Sequence, residues 1–505
     1  MKHFLLSPAA RKALIAPLLA LAASVAANAQ RYCNPLPMPI GPGGNASGDV
    51  TVLEEAGNYY MCCTGGGMWV SDNLVDWEFH AVEHIPVAPD LVKYRGRFYL
   101  TGNTDHVYVA DHPLGPYTDL GLFKNTGPVE QGWNGGFDTK IFVDDDGAPY
   151  LFWPGRGISG IYGVRLDPDD LTTFAGEPVH LFGFNPMHAW ERYGEMNEYP
   201  GVAWIEGPWV IKRNGIYYLE YSASGTQWKT YAEGYYTATS PLGPYTYAPN
   251  NPLLRKTEGL VTGTAHGSIV RFQDQWWQFY TIVLSNPPGG RRIGMDKVTF
   301  DADGLMACAV TDTPQAAPGA APAPAASLPV TINKMNAMNA LSKCSSEQDG
   351  YPAAFAVDNY SGTVWRPAAD DPQPSLTIEL SPATRFDVVQ HFTVDAMRIL
   401  FSGGRRRFGA APELPVYRYK LEVSQDGQSF QTVVDKTGNT LPKDTVYDEF
   451  APVNCRFVRL TVTDWPRNHP LGIIDFTVFG RPDGYDPPAV ATPVFSNLPL
   501  DGQAR

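Results

Sequence analysis

One pattern recurs five times in the first three hundred residues, and it constrains the fold more than any other feature of the chain. A β-rich run, a polar turn, an aromatic-rich run and a second turn begin at DVTVLEEAGNYYMCC (Asp49), PDLVKYRGRFYLTG (Pro89), FDTKIFVDDDGAPYLFW (Phe137), EGPWVIKRNGIYYLEYS (Glu206) and AHGSIVRFQDQWWQFYT (Ala265). The turns, among them Ala56-Gly57-Asn58, Arg95-Gly96-Arg97 and Arg213-Asn214-Gly215, lie between alternating apolar residues, which is the signature of a tight hairpin. Third strands follow in places, and the phrase PLGPYT recurs at Pro113 and Pro241. Units of this length bury their apolar faces only against one another. Five four-stranded units predict an all-β, five-bladed β-propeller over residues 30–313, with the first strand of each blade lining a central channel.

The flanking segments read differently. Lys2, Arg11 and Lys12, the apolar run Ala13–Ala26 and the small-x-small sequence Ala27-Asn28-Ala29 predict an export signal over residues 1–29 and a secreted or periplasmic protein. The apolar run is shorter than the roughly 20 residues needed to span a bilayer. Residues 314–327, PQAAPGAAPAPAAS, carry no charge and no bulky apolar group, so a semi-extended linker is expected there. Residues 328–480 alternate apolar and polar side chains between turns, predicting a β-sandwich of jelly-roll type, and a Pro-rich tail fills 481–505. The formal net charge of −14 and pI near 5.2 argue against a nucleic-acid partner, which requires a basic face. Six cysteines allow 15 full pairings, and their spacing fits no zinc pattern. They are expected to be buried apolar residues or at most one or two staples, and a monomer is expected.

In a propeller the residues that open the first strands converge on one end of the channel. Three of these positions are acidic: Asp49, Asp138 and Glu206. Each alone reads equally as a turn or loop acid. Three carboxylates around one opening repel one another, and such a cluster points to acid/base chemistry.

These residues carry a resemblance. SGDVTV, MWVSDNLVDWEF, FDTKIFVDDDGAPYLFW, EGPWVIKRNGIYYLEYS and GTAHGSIV resemble glycoside hydrolase family 43, five-bladed propeller enzymes acting on plant-type polysaccharides. The resemblance implies Asp49 as general base, Glu206 as general acid and Asp138 as the residue that tunes the acid. The family usually has Asp-Pro at the base, whereas Val50 follows Asp49 here. It also implies that His266 sits near the channel axis, in some relatives beside a calcium ion, and that Arg292 reaches the floor of the site, the alternative being a surface charge beside Arg291. Trp133, Asn134, Trp69 and Trp153 are candidates for sugar contacts, with packing between blades as the alternative for Trp69 and Trp153. Glu195 and Glu198, in an insertion before Glu206, are reserve acids.

In the C-terminal region, SKCSSEQDGYPAAFAVDNYSGTVWRP and CRFVRLTV resemble the discoidin, or factor V/VIII type C, family. That resemblance implies a structural calcium on Asp358, Ser361, Thr363 and Asp475 and either glycan binding or a purely structural module; the chemistry itself requires no cofactor. Arg405, Arg406 and Arg407 form a basic loop. The resulting expectation is an inverting exo-glycosidase on oligo- or polysaccharide, foremost an α-L-arabinofuranosidase. Alternatives are β-xylosidase, β-galactofuranosidase, a retaining enzyme, or an inactive sugar-binding propeller.

Overall fold

The computed structural model describes residues 31–127, 132–285, 290–320, 327–381, 389–403 and 414–485. The export signal expected at 1–29, the tail beyond residue 485 and the Arg405–Arg407 loop lie outside the described residues. Blade one comprises Thr51–Glu55, Asn58–Cys62, Met68–Ser71 and Glu78–His80. The next four sheets start with Asp90–Tyr94, Lys140–Val143, Glu206–Arg213 and Ala265–Phe272, as the repeat predicts. Blade three has a fifth strand, Val179–Phe182, paired with Ile161–Asp167. The hairpin turns place consecutive residues in the left-handed region, as at Asn214 (φ 51°) and Gly215 (φ 78°). That backbone matches the twist of the flanking strands.

An apolar cluster fills each gap between neighbouring blades. The one that closes the ring sets Trp277, Phe279, Ile293 and Met295 of blade five against Val50, Val52, Met61 and Trp69 of blade one. Chain entropy opposes bringing such distant segments together, and burial of these large side chains offsets it. The chain start reinforces the outer strands of blade five: Asn34 Nδ2 donates to the Met295 carbonyl, and Met295 N–H donates back to Asn34 Oδ1, both at 3.0 Å.

The expected linker is partly structured. Gln315–Ala316 pairs antiparallel with Arg31–Tyr32, and Ala317 is buried. Only 321–326 of this stretch lie outside the described residues. Composition hides such a strand, because a ladder needs only backbone N–H and C=O groups.

The C-terminal domain is a sandwich of two sheets. One contains Leu328–Pro329, Ile473–Pro482, Phe392–Phe401 and Thr445–Cys455; the other contains Lys343–Cys344, Ser375–Glu379, Phe457–Asp464, Arg418–Ser424 and Gln431–Asp435. Trp365, Ile378, Met397, Ile399, Leu421, Leu460 and Phe476 fill the space between them.

The two domains are joined by buried polar contacts. Arg398, 1% exposed, pairs with Asp475 at 2.9 Å and donates to the carbonyls of Asn34 and Asp312 at 2.8 Å each. It thus bonds the two ends of the propeller chain at once. Arg398→Ala strands a buried carboxylate and two carbonyls. It should destabilise the protein by about 3–5 kcal/mol, and an unchanged melting temperature in calorimetry would contradict this account.

Candidate active site

Each blade enters its first strand through one residue with a left-handed backbone. These residues are Asp49 (φ 52°), Ala88 (46°), Asp138 (46°), Gly207 (57°) and His266 (43°). Four of the five are not glycine, at a cost of roughly 1–3 kcal/mol each, so the surrounding structure must hold them. It does so around the ring. The N–H of Ala88 donates to Thr64 Oγ1 (2.8 Å), that of Asp138 to Asn103 Oδ1 (2.6 Å), that of His266 to Ser222 Oγ (2.8 Å) and that of Asp49 to Thr281 Oγ1 (2.7 Å). Every acceptor sits on or just after the second strand of the preceding blade. The strand register puts Pro154 at the matching place in blade three, and proline has no side-chain acceptor. The orphaned N–H of Gly207 turns instead to Asp138 Oδ2 at 3.3 Å. A single proline thereby ties the Asp138 carboxyl to the backbone of the residue following Glu206.

The three acids are buried but differ in their partners. Asp49 Oδ1 is 2.7 Å from Arg291 Nη1 and 3.2 Å from His266 Nδ1, and its Oδ2 accepts from the Thr64 hydroxyl at 2.6 Å. Burial works to raise the Asp49 carboxyl, yet the Arg291 and His266 charges outweigh it and hold the group well below the usual carboxylate range. Asp138 lies 3.9 Å from the same His266 nitrogen and is raised, chiefly by burial. Among the described residues no cation lies within ion-pair distance of Glu206; its Oε1 accepts from the Tyr231 hydroxyl at 2.8 Å. Burial first, and the Asp138 charge second, push it up to about 8. Burial would lower His266, but Asp138 and Asp49 raise it to about 9, so it is a cation at neutral pH. Two cations thus face three carboxyl groups, and the site is neutral when Glu206 keeps its proton.

A second layer lies beneath. Lys140 pairs with Asp90, whose Oδ2 also accepts from Ile141 N–H at 2.8 Å, and the ammonium sits 3.5 Å from the centre of the Trp209 ring. This pair closes the cavity lined by Asp138, His266 and Thr51 without adding net charge.

The structure therefore brings Asp49, Asp138, Glu206 and His266 together, and it corrects other placements. Arg292 points away to Asp444 of the sandwich at 2.9 Å, and its neighbour Arg291 reaches Asp49. Alternation decides this: Ile293 and Met295 pack on blade one, and Arg291 shares their face of the strand. Trp69 is fully buried, with Nε1 bonded to the Pro39 carbonyl at 2.7 Å, so it is not a sugar wall. Trp153 is likewise buried, and Trp133 packs edge-on against it at 5.5 Å. Asn134 accepts from Phe137 N–H at 3.0 Å and donates to the Pro154 carbonyl, shaping the loop that presents Asp138. Glu195 and Glu198 are exposed.

The four residues expected to hold calcium have these partners. Asp358 accepts from the Thr363 hydroxyl at 2.8 Å, Ser361 Oγ accepts from Ser285 N–H of the propeller at 2.9 Å, and Asp475 is taken by Arg398. All six cysteines are free, five of them buried.

Residues 37–306 match the family model of glycosyl hydrolases family 43, and residues 341–475 match that of the F5/8 type C domain. The first match spans just over half of the chain, and the protein belongs to glycosyl hydrolases family 43. It is 27% identical over 267 residues to the Xylosidase/arabinosidase 43A of Humicola insolens, covering 45% of this chain and 75% of that protein. It is 32% identical over 158 residues to the Beta-D-galactofuranosidase xynD of Aspergillus niger, covering 31% of this chain and 39% of that protein, so the likeness spans well under half of that relative. A thermostable family-43 glycoside hydrolase of known structure aligns with a TM-score of 0.47 at 27% identity, over 57% of this chain and 99% of its own.

Replacing Asp138 with Asn keeps an acceptor for Gly207 N–H but removes the charge beside Glu206. The protonation midpoint of Glu206, followed by 13C-carboxyl NMR, should fall from about 8 by roughly one unit. An unmoved midpoint would mean that burial alone holds the proton.

Proposed function

We propose that the protein is an inverting, exo-acting glycoside hydrolase that removes α-L-arabinofuranosyl side chains from plant-type polysaccharide after export. Glu206 is its general acid, Asp49 its general base, and Asp138 tunes the acid. The reading rests on the divided protonation of two carboxyls: Asp49 in blade one is held ionised, and Glu206 in blade four is held protonated. Blades one and four are not neighbours in a five-membered ring, so the two groups approach the channel from different walls. Inversion requires such an arrangement, because a sugar and a water must fit within a gap of roughly 6.5–9.5 Å.

In the reaction the glycosidic C–O bond breaks as the Glu206 proton passes to the leaving oxygen. A water attacks the anomeric carbon from the opposite face while Asp49 takes its proton. Tyr231 orients the Glu206 carboxyl, and Arg291 with His266 keeps Asp49 ionised before attack. The names of the two relatives support a pentose or furanose in the site, and release of β-linked xylose or galactofuranose is the alternative. An aromatic pair adjoins the acids: the Phe137 and Trp204 rings lie 6.1 Å apart, next to Asp138 and two residues before Glu206, with Trp204 40% exposed. Flat apolar faces of this kind suit the neighbouring sugars of a polymer.

A panel of aryl glycosides followed by 1H NMR tests the reading. The first product should carry inverted anomeric configuration on arabinofuranosides, and retention would sink the proposal. Glu206→Ala should lose on the order of 10³-fold in kcat/KM on substrates with poor leaving groups and far less on activated aryl glycosides. Trp204→Ala should raise KM for polymer about tenfold while leaving KM for an aryl glycoside unchanged.

A further inference from the structure

The hairpin that carries Arg291 is gripped from both sides by the C-terminal sandwich. Its two strands, Gln275–Leu284 and Gly290–Phe300, pair up to Leu284 and Gly290, and Arg291, paired with Val283, stands one rung from that end of the ladder. On one side Ser285 N–H donates to Ser361 Oγ at 2.9 Å. On the other, Arg292 Nη2 pairs with Asp444 at 2.9 Å, and Arg292 Nη1 donates to the Arg291 carbonyl at 2.9 Å. Strand alternation then sends the Arg291 side chain the opposite way, to Asp49 at 2.7 Å. The Arg292 and Asp444 side chains are 14% and 17% exposed, which keeps solvent screening of their pairing low.

We propose that the sandwich is a working part of the active site: Asp444, through Arg292, and Ser361, through Ser285, are positioning residues that fix the hairpin end and so hold Arg291 against Asp49. This rests on the assignment of Asp49 as the general base. A guanidinium at 2.7 Å keeps its grip on a carboxylate only if its own backbone is fixed; Arg291 pairs with Val283 next to the last rung, Leu284–Gly290, its Nη1 also donates to Thr226 Oγ1 at 3.2 Å, and the sandwich contacts hold the strands on both sides of that last rung. The other groups facing Asp49 are the His266 cation, the Asp138 and Glu206 carboxyls, the Thr64 hydroxyl and the neutral Cys63 and Tyr231. Apart from Arg291, only His266 among the described residues favours its ionised form by charge, so loosening the hairpin removes one of two cations.

The test is the pH dependence of kcat/KM in the full-length protein. Asp444→Asn should move the acid limb up by about one pH unit, toward the ordinary carboxylate value. It should also lower kcat about five- to tenfold, with KM changed less than twofold and the alkaline limb unmoved. The direction is diagnostic, because removing the Asp444 anion without moving the hairpin would leave Arg292 unneutralised and push the acid limb down. Asp444→Glu should restore the wild-type profile, and Ser361→Ala, which changes no charge, should shift the acid limb the same way. Profiles that superimpose on wild type, or shift down, overturn the proposal. Asp49→Asn separates the two levels: if it keeps both activity and acid limb, the base assignment fails, whereas an inactive Asp49→Asn beside an unshifted Asp444→Asn rejects the brace alone.

Discussion

Closure of the ring between blades five and one is the constraint on which the site depends. The contact is apolar, with Phe279, Ile293 and Met295 packed on Val52, Met61 and Trp69, and it says nothing about chemistry. Its consequence is electrostatic. Of the groups that hold Asp49, only Thr64 belongs to its own blade; Thr281, His266 and Arg291 all come from blade five. An unclosed ring would leave Asp49 an ordinary solvated carboxylate. A low-value aspartate at this position is therefore a product of packing at the seam, and the hydrophobic side chains that close it act at a distance on the protonation of the site.

The second constraint is charge. Three buried carboxyls cannot all ionise in a confined, poorly solvated space, and two cations are supplied. Which carboxyl stays neutral follows from where the cations stand: both touch Asp49, His266 alone approaches Asp138, and neither lies within ion-pair distance of Glu206. Pro154 sharpens the asymmetry. Had a hydroxyl stood there, as Thr64, Ser222 and Thr281 do in other blades, Gly207 N–H would have an acceptor and the Asp138 carboxyl would lose its tether beside Glu206. A departure from fivefold regularity at a residue with no chemistry of its own thus shapes the environment of the proposed acid.

The repeat was legible because its signal, alternating apolar residues about a tight turn, is local and recurs five times. The acids were legible because they occupy the same place in that repeat. What failed to show depends on partners remote in sequence. Arg291 and Arg292 are indistinguishable in composition, and only the parity of Ile293 and Met295, known to face blade one once the ring is closed, separates them. Trp69 and Trp133 have the ring a sugar platform needs, but Trp69 is buried against Phe79 and Trp133 is half-buried against Phe123, Trp153 and Phe174, which come from other segments. Ser361 and Asp475 sit in the expected discoidin pattern, yet their oxygens are engaged by Ser285 and Arg398. The strand at Gln315–Ala316 uses backbone groups alone, so its side chains leave no trace of it.

The same remote contacts explain why the two domains cannot be treated as catalytic body and detachable appendage. Arg398 bonds carbonyls at both ends of the propeller chain, Asn34 at its start and Asp312 at its end. Asn34 in turn bonds Met295 in the strand that bears Arg291 and contributes to the seam with blade one. A path of buried hydrogen bonds therefore runs from the sandwich core to the strand that faces Asp49, and a second, shorter one runs through Asp444. Both meet the propeller at blade five, the blade that must close the ring. Mechanical support is placed where closure and catalytic charge coincide, so loss of the sandwich should be felt at Asp49 before it is felt at Glu206, which stands in blade four and takes its hydrogen bond from Tyr231 of the same blade.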